Sequence, residues 1–197
     1  MFLSALKPSE ASSAHYARDI TDDGYVSNLT RLWAWRPDVF DAFLNARALL
    51  TEKAGLSLRE RAILVCASAA NLGDSYCALA WGTTLAAETD PTTAAEVLQR
   101  KEASALSARE SALATWAGQV VRAPNAVTAE DVDRLRGAGM TDEEIFNATV
   151  FVAFRLAFST VNDALGACPD GPLAAGAPAK VRDAVNYGRR PSDSSAK

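Results

Sequence analysis

Histidine is nearly absent from this sequence: one occurs in 197 residues, His15, in a polar stretch near the N-terminus. A zinc or iron centre built on several imidazoles therefore cannot be assembled from it. Cysteine is scarce as well. Cys66, Cys77 and Cys168 show no paired ligand spacing, which excludes a cysteine-rich zinc site. An odd, low cysteine count also argues against a disulfide scaffold and for a reducing compartment. Excess positive charge is missing too. Twenty Lys+Arg against 24 Asp+Glu leave a net charge of −4, without the electrostatic signature of a nucleic-acid binder. The opening MFLSALKPSEASSAHYARD lacks a basic region followed by a long apolar stretch, so it does not read as a signal peptide. The longest apolar run, 145–161, is broken by Asn147, Thr149, Arg155 and Ser159 and reads as a buried core helix rather than a membrane span. A cytoplasmic protein is expected.

What the sequence does contain is helix-start chemistry. At 49% apolar and 22% charged residues, the length suits one domain with a real core. A Ser or Thr followed three residues later by Glu lets two side chains satisfy each other's orphan backbone donors. That box occurs at Ser57–Glu60, Thr93–Glu96, Ser107–Glu110 and Thr141–Glu144, with Thr128–Asp131 a weaker relative. Pro37 sits like a first-turn proline, and Gly55 closes the helix that it opens. Helices are predicted near 37–53, 58–71, 75–88, 93–101, 108–122, 129–136 and 142–165, with Gly137 and Gly166 as caps after the last two. Those at 58–71 and 142–165 are apolar on most sides, so neighbouring helices or another subunit must cover them. The fold class is all-α. An N-terminal arm is expected over 1–20, the domain over 21–166, and a loosely ordered extension rich in Pro, Gly and Ala over 167–197. One short helix is allowed between Pro178 and Tyr187.

The most informative stretch runs from Leu56 to Gly82: LSLRERAILVCASAANLGDSYCALAWG. One helix ends near Gly73 and the next starts with Asp74 as its N-cap, able to accept from the backbone N–H of Cys77. Cys77 then lies in a first turn, where the helix dipole favours a thiolate while the adjacent carboxylate opposes it. A reactive thiol and a small buried hydrophobe are both open readings of Cys77.

This stretch resembles the core of the AhpD-like alkylhydroperoxidase and carboxymuconolactone decarboxylase family, whose leader L-S-x-R-E-R-E-L precedes a helix and then N-G-C-x-Y-C-x-x-x-H. The peroxidase-related branch is further suggested by Asp23-Gly-Tyr-Val-Ser-Asn28 with Arg36-Pro-Asp38, by 135–145 (LRGAGMTDEEI), and by 161–166 (VNDALG). The resemblance spans roughly 20–166. It implies an AhpD-like helical fold assembling as a dimer, trimer or hexamer, peroxidase or peroxiredoxin-type antioxidant activity, and no cofactor or metal.

The resemblance also implies a site in which Glu and His relay protons for a Cys-x-x-Cys dithiol. Carried over by position, the first Cys is Asp74, the second is Cys77, the His is Trp81, and the Glu is Ala62. Glu60 serves as a capping residue. Only Cys77 is kept, so at most a one-cysteine peroxidase with an external thiol as resolver is left. Cys77 is the candidate thiol and Asp74 the candidate at the first-Cys position. Trp81, Arg155 and Tyr76 are candidates for substrate binding. Arg155, inside an apolar run, must find either a ligand anion or a carboxylate such as Asp163 or Asp74. Trp33, Trp35 and Tyr25 either cover a pocket or pack the arm, and His15 receives no role. Two other functions are open: a cofactor-free lyase or isomerase using Asp74 as base and Arg155 as carboxylate anchor, and a non-catalytic binding homologue.

Overall fold

The structure, a computed structural model, describes residues 1–4, 6–53 and 55–192. Its helices are α1 (Glu10–Asp23), α2 (Asn28–Trp33), α3 (Pro37–Lys53), α4 (Leu58–Leu72), α5 (Ser75–Glu88), α6 (Pro91–Leu98), α7 (Ala108–Arg122), α8 (Ala129–Gly137), α9 (Asp142–Ala164), α10 (Gly171–Gly176) and α11 (Ala179–Ala184). A single 3₁₀ turn covers Pro124–Ala126, and the described residues contain no strand.

Four of the five capping motifs start helices as read. In α4, α7, α8 and α9 the N-cap hydroxyl of Ser57, Ser107, Thr128 or Thr141 accepts from the third helical N–H, and the carboxylate there returns a bond to the cap. Thr93–Glu96 does not. Asp90 caps α6 instead, bonding the N–H groups of Thr92 and Thr93, and Pro91 takes the first turn, where its missing N–H costs nothing. Gly137 lies within α8 rather than beyond it, and the left-handed residue that follows is Gly139.

The capping carboxylates also join helices to one another. Arg109 reaches Glu60 Oε1 at 2.6 Å and Glu144 Oε1 at 2.8 Å, while Arg59 holds Glu110 Oε1 at 2.5 Å. The N-termini of α4, α7 and α9 are thus tied by two arginines, and Glu60 is a clamp as well as the cap expected of it. Beyond this clamp α4 runs through the middle of the fold. Ala62–Ala70 is buried without interruption, packed against α5, α7 and α9. Its alanines let those neighbours approach closely.

The second apolar helix is covered on one side only. Ile145, Ala148, Phe151, Val152 and Phe158 of α9 face the core, whereas Phe146 is 67% exposed and Val161 38%. By length and composition α9 could cross a membrane, but its inward face belongs to the core and carries Arg155, Ser159 and Asn162.

Both ends of the chain carry helices, and α11 falls within the short helix allowed between Pro178 and Tyr187. The arm is helical from Glu10, started by a Ser9–Ser12 capping pair and held by His15, which lies 3.1 Å from Asp41 and against Phe40. The C-terminal extension is not loose over 171–184: it forms α10 and α11, and Val181 is fully buried against α5 and α6. Gly82 explains this packing, because a Cβ there would come within 2.8 Å of both Leu98 Cδ1 and Val181 Cγ1. Residues 193–197 of the expected tail lie outside the described residues. Val181→Ala should lower the unfolding free energy by about 2 kcal/mol, from two lost methyl groups and the void they leave. Urea denaturation will measure it, and an unchanged midpoint would show that α11 is not part of the core.

Candidate active site

The turn between α4 and α5 sets the site. Gly73, at φ 86°, ends α4, and Asp74 follows at once as the N-cap of α5. Asp74 Oδ1 accepts the Cys77 N–H at 2.9 Å, so the carboxylate is locked beneath the first turn. Helix α9 passes alongside and contributes two residues one turn apart. Ser159 Oγ donates to Asp74 Oδ2 at 2.5 Å and lies 3.7 Å from Cys77 Sγ. Arg155 Nη2 donates to the same sulfur at 3.0 Å. The guanidinium carbon stands 5.6 Å from the Trp81 ring centre and 5.3 Å from that of Phe158.

Asp74, Cys77, Arg155 and Ser159 are all at most 4% exposed, and half-buried Trp81 is the most open member of the group. From the other side Trp33 stacks on Phe158, with centres 5.4 Å apart and planes within 7°, and its Nε1 donates to Asn162 Oδ1 at 2.9 Å. Trp33 therefore covers the site, whereas Trp35 is exposed. Among the described residues two buried donors on α9, Arg155 Nε and Asn162 Nδ2, have no hydrogen-bond partner, and a buried N–H without an acceptor is costly.

Burial governs the electrostatics. It pushes the Cys77 thiol up to about 12. Arg155 opposes that rise and Asp74 adds to it. The helix-dipole argument for a low thiol pKa is overturned, because desolvation of a thiolate outweighs a partial charge at a helix end. At pH 7 Cys77 is therefore a thiol rather than a thiolate. Asp163, next along α9, is raised to about 7 by partial burial and by Asp74, against the pull of Arg189.

The expected ion pair of Arg155 with Asp74 or Asp163 is not formed. Asp74 already serves the Cys77 N–H and Ser159, and the guanidinium turns to the sulfur instead. Four candidates, Asp74, Cys77, Trp81 and Arg155, come together. Tyr76 does not: it points to the opposite side of α5, where its hydroxyl donates to Asp170, which also accepts the Asn28 N–H at 3.0 Å. Tyr25 lies near that network, its hydroxyl raised to about 12 by burial and Asp170. Cys66 and Cys168 are free thiols. Ala62, at the family's Glu position, is fully buried and offers no proton carrier. Among the described residues no three His, Cys, Asp or Glu side chains form a metal-ligand set. Ser159 was missed. Its signal was present, a hydroxyl four residues after Arg155 and so on the same helix face.

This helical arrangement, with a capped turn presenting Cys77 to α9, is an AhpD-like fold. It is shared with an alkylhydroperoxidase AhpD core structure, an uncharacterized peroxidase-related protein from Ralstonia eutropha JMP134: TM-score 0.74, 26% identity, covering 86% of this chain and 94% of that one. An uncharacterized peroxidase-related protein from Silicibacter sp. TM1040 superposes with TM-score 0.76 at 20% identity, over 86% of this chain and 90% of that one. The debrominase Bmp8, in complex with 2,3,4-tribromopyrrole, gives 0.73 at 14% identity over 94% of this chain and 97% of that one. Neither a family model nor a curated protein matches the sequence.

Alkylation of Cys77 by iodoacetamide should be slow at pH 7 and rise about tenfold per pH unit without levelling below pH 11, as the thiolate share dictates. Mass-spectrometric rates at Cys77 will show this, and a plateau near pH 8 would mean the thiol is not sealed. Trp81→Ala should raise the rate at every pH by opening the most exposed wall.

Proposed function

We propose that the protein is a one-cysteine thiol peroxidase in which a hydroxyl and a carboxylate replace the proton relay that the family builds from His and Glu. The observation that carries this is the sulfur of Cys77 held between the Arg155 guanidinium at 3.0 Å and a Ser159 hydroxyl already bonded to Asp74. The Cys77 sulfur attacks the distal oxygen of a hydroperoxide, forming an S–O bond as the O–O bond breaks. The thiol proton passes by way of Ser159 to Asp74, which holds it until Cys77 is released as a thiolate and takes it back, while the departing alkoxide takes a proton from water and leaves as alcohol. Arg155 stabilises the sulfur as it loses its proton, and its free Nε–H donates to the peroxide oxygen. A sulfenic acid is left on Cys77. One external thiol condenses with it, releasing water, and a second frees Cys77 as the external disulfide departs. Both steps suit a reducing cytoplasm.

The high thiol pKa favours a second reading, a homologue that binds without turnover. The lyase reading is the weakest. It needs Asp74 in contact with substrate, and that carboxylate is fully buried with both oxygens bonded. Cumene hydroperoxide with dithiothreitol is the test, with 2,3,4-tribromopyrrole as a second electrophile. Turnover should vanish in Cys77→Ser and fall about 10²–10⁴-fold in Ser159→Ala and Asp74→Asn, the range of a lost proton transfer. Turnover that survives Cys77→Ser would sink the proposal, and no turnover above free dithiothreitol would favour the binding homologue.

Self-association belongs to the same reading. The uncovered side of α9, with exposed Phe146, Ala153, Ala157 and Val161, is apolar along its length and suits a second copy of the chain. Sedimentation at micromolar concentration should give a dimer or larger, shifted towards monomer by Phe146→Glu. A monomeric parent would overturn it.

A further inference from the structure

We propose that a cavity of about 640 Å³ between α4, the end of α6 and α7 is a second binding site, one for a small organic phosphate monoester. It shares no residue with the Cys77 site, and its volume lies within the ordinary range for small-molecule pockets. Two departures from local backbone preference meet on its wall.

The first is Arg100. Helix α6 ends in a Schellman turn, with the Lys101 N–H bonded to Glu96 O at 2.9 Å, and Arg100 occupies its left-handed position at φ 59°. Glycine takes that conformation without the clash between Cβ and carbonyl that an L side chain meets. Among the described residues Arg100 is the sole non-glycine with positive φ. Such strain points to a side chain kept for its own chemistry.

The second is Gly118, in the interior of α7, where alanine would favour the helix. A Cβ at this position would lie 3.0 Å from both Arg122 Nη1 and Asn71 Nδ2. The bare backbone therefore makes room for the Arg122–Asn71 hydrogen bond, which sets the guanidinium on the cavity wall.

Charge gives the ligand class. Arg100, Lys101 and Arg122 line the cavity against one carboxylate, Glu102, a local excess of two positive charges in a protein of net charge −4. Among the described residues none of these three cations is in an ion pair. Two guanidiniums and an ammonium, with the hydroxyls of Ser111 and Thr115 nearby, match a phosphate dianion. The floor of Ala67, Val97 and Ala103 is buried and apolar, which suits an attached hydrocarbon or aromatic body.

Calorimetric titration of the full chain with phenyl phosphate and with inorganic phosphate, at equal ionic strength, tests the site. Phenyl phosphate should bind at least tenfold more tightly than inorganic phosphate, and the Cys77→Ser variant should bind it as the parent does. Arg122→Gln should weaken it at least tenfold. Arg100→Gly should weaken it as much while melting several degrees higher than the parent, because the strain is removed along with the charge. A folded Arg100→Gly variant that keeps parental affinity overturns the proposal, as does the absence of binding heat. Equal affinity for inorganic phosphate overturns the organic body.

Discussion

A guanidinium and a carboxylate, both almost sealed from water, converge on one thiol, and the side chains that α9 sends towards α5 are arranged around them. Isolated charges of this kind are too costly to bury, so the fold must supply acceptors and donors in position. It does so with the α5 N-terminus, whose Cys77 N–H is donated to Asp74, and with Ser159, which takes the second oxygen. Arg155 is compensated less completely, by sulfur and by the faces of Trp81 and Phe158, and one of its N–H groups has no partner.

The same constraint explains why the site differs from the pattern that its sequence resembles. A His at position 81 would carry a proton; the indole there carries none and shields the guanidinium instead. With Ala62 in place of a carboxylate, α4 packs as an uninterrupted apolar helix at the centre of the fold. The side chains that reach the Cys77 sulfur come from α9.

Stability and site placement share one device. The carboxylates that close the capping boxes of α4, α7 and α9 are the ones that Arg59 and Arg109 hold. Arg109 holds the Glu144 carboxyl down to about 2, so that one link between α7 and α9 persists well into acid. Together the two arginines fix the N-terminal ends of three helices, and from that end Arg155 and Ser159 follow at set rises along α9.

The sequence by itself determined where seven helices lie, because capping boxes, a first-turn proline and helical periodicity are short-range and act through neighbouring residues. It also determined that the familiar dithiol and imidazole are absent, since residue identity at a motif position needs no coordinates. Only the tertiary structure decided that Arg155 meets Cys77 rather than Asp163, that Ser159 bridges to Asp74, and that Tyr76 faces away. Those outcomes turn on how α5 and α9 are each set against α4, which is a long-range property. The high pKa of Cys77 belongs here too. The local helix dipole was legible, but the burial that overrides it is the sum of every element packed above the thiol. Helix α10 was not foreseen because a Gly- and Ala-rich composition looks like loop, and although a short helix was allowed where α11 lies, its docking becomes legible only when Gly82 is seen to leave space for Val181.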